Sequence, residues 1–313
     1  MTENNSSAIG AIDIGGTKVA VGMVDHAGQV LAKEETGSQS AGLWPEARER
    51  IIAMLHKVAQ ACNHSITGIG IGATGPVDPI HGTFGNLDAL PQWSGAAIVD
   101  DLTREFHVPV ALENDADAGA LAEASWGAGV GLSSLLYVTI GTGIGGGTIL
   151  DGRLYRGVDG SHPEFAHQVI DVNGPACSCG LSGCWESFAS GLAMSRWMET
   201  QLEYAGEAGL TARRIYELAS SGDSLAQHAV ERETFYLGIG LANLVNLFTP
   251  NAIILSGSIM KSAGRYLQDI RKVMERGCRF VPLDKVELRL ASLGDDANLI
   301  GAARVWHHRF ASA

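Results

Sequence analysis

Apolar residues in the opening of the chain alternate in short runs broken by glycine. AIGAIDIG, KVAVGMVD and QVLAKEET fall between residues 8 and 36, separated by Gly15-Gly16 and by Asp25-His26-Ala27-Gly28. A period of two between such turns predicts a three-stranded antiparallel meander. The period then lengthens. From Pro45 to Cys62, residues Ile51, Ile52, Leu55, Val58 and Ala59 keep helical spacing. Ile66 to Ala73 reads as a short buried strand, Ser94 as the N-cap of a helix reaching about His107, Val108 to Leu112 as a strand, and Ala116 to Trp126 as a helix. The opening outline returns between Ser134 and Leu150 as LLYVTIG, the turn Thr142-Gly143-Ile144-Gly145, and GGTILDG. We read this as an internal duplication. Helices are expected over Gly191 to Tyr204, Thr211 to Ser220 and Ser224 to Phe248. The last carries an apolar face of Ala229, Phe235, Leu237, Leu241, Leu244 and Leu247 expected in the core. A strand at Asn251 to Leu255, a helix at Ala263 to Phe280, a strand at Lys285 to Leu290 and a helix from Asp296 or Ala297 to about Phe310 complete an α/β pattern.

Composition narrows the class. With 313 residues there is room for two modest domains, and 46% hydrophobic content with 40 glycines suits a globular α/β chain rich in tight turns. The formal charge of −12, without a Lys/Arg run longer than two, disfavours binding to nucleic-acid phosphates. The polar start MTENNSSAIG has no apolar signal core, and no stretch of about 18 apolar residues occurs, so neither a leader nor a membrane span is expected. Cys62 and Cys278 are isolated and the cysteine count is five; a disulfide framework is not expected, and a reducing cytoplasm is.

Several segments carry chemistry. Cys177, Cys179 and Cys184, with His167 upstream, form the donor set of a closed tetrahedral zinc site, and Gly180 and Gly183 supply the bends. A metal there would hold the flanking carboxylates Glu164 and Glu186 rigidly, as a binding site needs. In Asp13-Ile-Gly-Gly-Thr17-Lys18, Gly15 and Gly16 let backbone N–H groups approach an anion, and Thr17 and Lys18 can donate to phosphate oxygens. Asp13, at a strand end, suits a hydrated Mg2+; an ordinary hairpin turn is the alternative. The turn Thr74-Gly75-Pro76 follows a strand, where α/β sheets place ligands, and the long glycine-rich loop after it contains Asn86, so Gly75 and Asn86 are substrate candidates. Asp115, after Glu113 and Asn114, is either a helix cap or a general base, and as a base it is expected to be ionised at neutral pH by the helix N-terminus. Thr142 and Gly143 form a second phosphate-facing turn. The span Gly141 to Gly146 satisfies GxGxxG, but a β-type run follows it, which excludes a dinucleotide fold. Ser256-Gly257-Ser258 would let an adenine or ribose lie against the backbone.

AIDIGGTK, ATGPVD, LENDADAGALAE, VTIGTGIGGG, HPEFAH and CSCGLSGCWE, in this order, make the whole chain resemble the ROK family of sugar kinases and repressors. The resemblance implies a two-domain, actin-like (RNase H-like) ATPase fold with a central cleft. One domain would comprise residues 1–115 with about 296–313, and the other residues 116–295. It implies ATP and Mg2+ at Asp13, Gly15, Gly16, Thr17, Lys18, Thr142 and Gly143, with Gly257 on the adenosine side. Asp115 matches the family's catalytic base and Asn114 a sugar ligand. Glu164, His167 and Glu186 match the sugar-hydroxyl ligands, so His167 would bind zinc through one nitrogen and a hydroxyl through the other. Two positions depart from the family pattern: Ala166 stands where glycine is usual and could crowd the sugar, and Ser-Gly-Ser stands where a Gly-Gly pair is common.

The expected activity is ATP-dependent phosphorylation of a hexose 6-hydroxyl, with glucose first and mannose, fructose, N-acetylglucosamine and N-acetylmannosamine as alternatives. A homodimer is expected from the family. The competing class, a sugar-sensing repressor, would need a DNA-binding segment before Ile9, for which the sequence leaves no room. A sugar-binding protein without catalysis is disfavoured by Asp13, Lys18 and Asp115.

Overall fold

The computed structural model describes residues 7–38, 42–86, 89–201 and 209–311. Strands β1 (Ser7–Ile14), β2 (Lys18–Val24) and β3 (Val30–Gly37) form the expected meander. Helix α1 (Trp44–Cys62), β4 (Ser65–Ala73), the small hairpin β5 (Val77–Asp78) and β6 (Thr83–Phe84), α2 (Ile98–Phe106), β7 (Val110–Asn114) and α3 (Asp115–Trp126) follow. Next come β8 (Leu135–Ile140), β9 (Ile144–Leu150) and β10 (Arg153–Leu154). Then come α4 (Glu186–Ala189), α5 (Gly191–Glu199), α6 (Ala212–Ser220), α7 (Ser224–Phe248), β11 (Ala252–Ser256), α8 (Met260–Ala263), α9 (Leu267–Gly277), β12 (Glu287–Leu290) and α10 (Ala297–Phe310).

Two five-stranded sheets have one topology. Their orders are β3-β2-β1-β4-β7 and β10-β9-β8-β11-β12. In each, a meander is antiparallel and two further strands add in parallel. The resemblance of the two glycine–threonine hairpins therefore extends to the whole sheets.

The alternation in β1 divides two cores. Ala8, Ile12 and Ile14 face the side covered by Ile51 and Leu55 of α1, whereas Ile9 and Ala11 face Leu299, Ala302 and Ala303 of α10. Burying each isoleucine or leucine among these stabilises by about 1.5–3 kcal/mol. The α10 side is reached only because the sheet is bare there: a Cβ on Gly68 would overlap the Trp306 indole, and one on Gly70 the Ala302 carbonyl. Helix α10 also packs on α3, which in turn lies on β8 and β9.

Several boundaries differ from expectation. Ser94 closes the C-terminal end of a 3-10 turn, and Ala97 holds the N-cap position of the next helix. The fully buried Trp93, whose indole donates to the Gly42 carbonyl at 3.1 Å, pulls Pro91–Trp93 into a 3-10 turn, and α2 starts after Ala97. On α7, Ala229, Leu237, Leu241 and Leu244 are buried as expected, with Ala226, Val230 and Val245 beside them, but Phe235 is 43% and Leu247 72% exposed. The helix expected over Ala263 to Phe280 is broken by a 3-10 turn at Gly264–Tyr266 and ends at Gly277, leaving Phe280 fully exposed. The helix from Gly191 is α-helical to Glu199; its expected end at Tyr204 lies outside the described residues. No described helix is long and apolar enough to cross a membrane, and all five cysteines are free thiols.

Candidate active site

Strand register gathers the candidate loops. Ile14 pairs with Ala73 and Ala73 with Asn114, so the turn Gly15-Gly16-Thr17, the turn Thr74-Gly75-Pro76 and Asp115 leave the first sheet side by side. In the second sheet Thr139 pairs with Ser256, which puts Gly141–Gly143 beside Gly257–Ser258. Carboxyl ends of parallel strands are where open α/β sheets receive ligands. Helix α3 touches both sheets from its first turn, and so joins the two edges.

Both hairpin turns are fixed by their own backbone. Gly15 N–H donates to the Lys18 carbonyl at 2.8 Å, the Ser38 hydroxyl to the Gly15 carbonyl at 2.6 Å, and Gly141 N–H to the Gly143 carbonyl at 2.9 Å. Thr17 is exposed, and the Lys18 ammonium pairs with Glu35 at 2.9 Å. Cavities adjoin the second turn. One of about 490 Å³ lies between Thr142–Gly143 and the cysteine loop, and one of about 550 Å³ between Gly141, Ser258, Thr211 and Tyr216. A third, of about 380 Å³, is bounded by Thr139, Gly257, Lys261 and Asn298.

The acids at the first edge repel one another. Burial pushes the Asp13 carboxyl up to about 7; the Asp115 charge adds to this, while Lys18 and the Asn298 side chain oppose it. Burial also raises Asp115 above the usual aspartate range, against the bond its Oδ1 accepts from Ala116 N–H at 2.8 Å and the charge of His162. The helix N-terminus, expected to favour the charged form of Asp115, is thus opposed by burial, and the net direction is upward. Asn114, not Asp115, caps α3, its Oδ1 accepting from Ala116 N–H at 2.8 Å and Asp117 N–H at 3.4 Å. Gly75 leaves room for the Asn114 amide, which a Cβ there would meet at 3.1 Å.

The cysteine loop builds a four-donor cluster. One ligand atom each from His167, Cys177, Cys179 and Cys184 lies within 4.8 Å of all the others. His167 Nδ1 is 3.4 Å from Cys177 Sγ, and Cys179 Sγ is 3.5 Å from Cys184 Sγ. Tetrahedral bonds of about 2.3 Å put sulfur ligands roughly 3.8 Å apart, so the donors fit zinc in chemistry and spacing. Burial opposes ionisation of Cys177, but the Cys179 N–H, the Ser187 hydroxyl and the neighbouring thiols bring it to about 6. Burial and the Cys179 and Cys177 thiols push Cys184 up. Gly183, at φ +80°, brings the loop against the Asp171 carbonyl, and Gly180 turns at φ +96°. The buried Trp185 ties the loop to α7, its indole donating to the Tyr236 carbonyl at 2.9 Å.

The other sequence candidates fall as follows. Glu186 Oε2 accepts from Ile144 N–H at 2.8 Å, which links the cysteine loop to the second hairpin turn. Glu164 is exposed in the loop before His167. The methyl of Ala166 is 1% exposed and packs in the second sheet's core, so it does not crowd the cleft. Asn86 is exposed, beside residues 87–88 outside the description. Gly257 adopts φ +95° against the backbone of Ile140. Sequence reasoning missed Asn298, which opens α10 without a capping signature and bonds Asp13. It also missed two buried ion pairs, Arg156–Glu113 and His162–Asp117, the latter at 2.9 Å. Their partners lie 43 and 45 residues apart, beyond any local pattern.

Comparison with known proteins agrees with this architecture. The sequence profile of the ROK family matches residues 9–309. A glucokinase of Halalkalibacterium halodurans is 32% identical over 308 residues, spanning 93% of this chain and 92% of its own. A xylose repressor of Bacillus spizizenii is 34% identical over 300 residues, spanning 94% of this chain and 75% of its own. The structure of a ROK family glucokinase from Streptomyces griseus with glucose and AMPPNP superposes with a TM-score of 0.81 at 31% identity, covering 96% of this chain and 99% of that one. The fold is the two-domain, actin-like ATPase fold of such proteins.

Proposed function

This chain belongs to the ROK family, and from that premise we propose that it is an ATP-dependent hexose kinase that phosphorylates the 6-hydroxyl of glucose. The observation that carries this reading is the alignment of Asp13, Gly75 and Asp115 at one sheet edge, with the first turn of α3 packed against Gly145 of the second hairpin. A hydroxyl acceptor and a triphosphate donor need such an arrangement, because phosphoryl transfer depends mostly on positioning and charge neutralisation.

In the proposed mechanism the backbone of Gly15, Gly16 and Gly143, with Thr17, Thr142 and Lys18, holds the donor phosphates, and Gly257 lies along the adenosine. The sugar rests on Asn114, Glu164, His167 and Glu186, with Gly75 and Asn86 closing that side. Asp115 orients the 6-hydroxyl and accepts its proton. A carboxyl raised above the usual range is a better base near neutral pH than an ordinary aspartate. The Asp13 carboxylate, whose charge Asp115 repels, suits a divalent cation, and Asp13 would hold Mg2+, which supplies neutralisation of phosphate charge when bound. Zinc held by His167 Nδ1 and three thiolates would fix the loop that presents Glu164 and Glu186, leaving the other imidazole nitrogen for a sugar hydroxyl. Residues 1–115 with 296–313 would close on 116–295 and exclude water. The protein would act as a homodimer in a reducing cytoplasm.

The test is a panel of hexoses and 2-acetamidohexoses assayed with ATP by coupled ADP release. Highest kcat/KM with glucose supports the assignment; ADP release with fructose or an acetylhexosamine alone moves the substrate. The second reading, a repressor, is favoured by the xylose repressors among the relatives. Xylose binding without ADP release would select it.

A further inference from the structure

Three carboxylates fall within five residues at the end of β7 and the first turn of α3: Glu113, Asp115 and Asp117. Two are matched by cations from the segment between β10 and the cysteine loop. Arg156 pairs with Glu113, and His162 Nδ1 lies 2.9 Å from Asp117 Oδ2. Asp115, between them, has no cationic partner among the described residues. Asp117 is 1% exposed, and its Oδ1 has no hydrogen bond. A buried carboxylate of this kind costs several kcal/mol unless an opposite charge accompanies it. His162 therefore meets a demand that α3 itself creates.

We propose that the His162–Asp117 pair positions the sugar acceptor: it latches the loop bearing Glu164 and His167 onto the helix bearing Asp115. The inference rests on the kinase reading above. The latch is short. His162 precedes Glu164 by two residues and His167 by five, and Asp117 follows Asp115 by two, so one hydrogen bond fixes the base relative to the sugar ligands. Near-attack geometry tolerates little slack, and displacement by about 1 Å can cost 100-fold in rate.

The groups around His162 all bear on its charge. Burial disfavours the imidazolium, but Asp117 through bond and charge, then Glu164 and Asp115, favour it, and the net direction is upward. Glu113, raised to about 7 by burial, is itself eased down by Arg156 and His162 and pushed up by Asp117. His308 is lowered by burial and by Arg156, Arg304 and Arg309, against the charge of Asp117. The imidazolium in turn favours the ionised form of Asp115. Its removal also uncovers the charge of Asp117, which disfavours ionised Asp115, so both effects act in one direction.

The experiment compares the full-length wild type, His162→Gln and His162→Ala in ADP release from pH 5 to 9, with glucose affinity measured separately by calorimetry. His162→Gln retains a side-chain donor for Asp117 but no charge. It should keep glucose affinity within about threefold while the acid limb of kcat/KM moves to higher pH. His162→Ala loses both, and its glucose KM should rise about tenfold or more in addition. Should the alanine variant not fold, the pH profile of the glutamine variant still decides. Wild-type acid limbs in both variants, or a lower kcat with pH profile and KM unchanged, would overturn the positioning role. A wild type that neither binds nor phosphorylates any hexose overturns the kinase reading itself, and is seen before either variant is made.

Discussion

Gly257 permits the sharpest test of how the two edges of the second sheet depend on each other. It adopts φ +95°, a conformation that costs an L-residue about 1–2 kcal/mol. In Gly257→Ala the new Cβ would also stand 2.6 Å from the nitrogen and carbonyl carbon of Ile140, and nearer still to its oxygen. Real Cβ contacts do not fall below 3.0 Å, so one backbone must retreat by about 0.4 Å or more. Ile140 leads directly into Gly141–Gly143, and Ile140 also accepts the Ile259 N–H at 3.1 Å, so any retreat disturbs both turns. With strain and overpacking together, about 2–4 kcal/mol of stability should be lost. The ATP KM should rise on the order of 10–100-fold, because the phosphate turn moves relative to the base. Glucose affinity, measured without nucleotide, should stay near wild type, because none of the ligands proposed for it comes from the Gly257 turn. The assays are urea unfolding and separate titrations of the two substrates. An alanine variant with wild-type stability and ATP KM would refute the claim that the two turns brace each other. An equal loss of both substrate affinities would point to general unfolding.

Further outcomes are expected. Asp115→Asn should fold and bind glucose but lose about 100- to 10,000-fold in kcat, measured by single-turnover ADP release; a near-normal kcat would remove Asp115 from the base role. Cys179→Ala should release zinc, measured by metal analysis, and weaken glucose binding about 10- to 100-fold, whereas unchanged affinity in zinc-free protein would uncouple the cluster from the sugar loop. Glu233 is buried on α7, bonded by the Tyr216 hydroxyl, and burial raises it from 4.5 to about 8. Between those pH values the folded chain holds a proton that the unfolded chain has released, so stability falls as pH rises through the window. Glu233→Gln removes this dependence: its unfolding free energy should exceed wild type by roughly 2–5 kcal/mol at pH 9 and approach it at pH 4.5, and parallel curves would exclude an ionising Glu233.

The parts of the site legible in the sequence were those with short-range signatures. Cys177, Cys179 and Cys184 lie within eight residues, and glycine-rich turns follow alternating strands, so the donor cluster and the two hairpin turns could be read without coordinates. The duplicated sheets were foreshadowed by the repeated hairpin because strand period and turn residues are local. Charge was not legible. That Asp115 would be raised rather than lowered depends on which sheets enclose it, and that Asn114 takes the capping duty depends on which of two neighbouring polar side chains turns back on the helix. Ion pairs such as Arg156–Glu113 arise only when chain segments far apart in sequence meet. Phe235 and Leu247 kept helical spacing but face outward, since periodicity fixes a stripe's width only to within about one residue.

Helix α10 closes the glycine-bared side of a sheet whose strands come from residues 7–114. During synthesis those strands leave the ribosome long before their cover does. Until residues 297–310 are translated, the face of β1 and β4 waits with its apolar residues in water, and Asp13 waits without Asn298. Completion of both sheets thus becomes a late event in the life of the nascent polypeptide, since β12, the last strand of the second sheet, ends at Leu290 and α10 begins at Ala297.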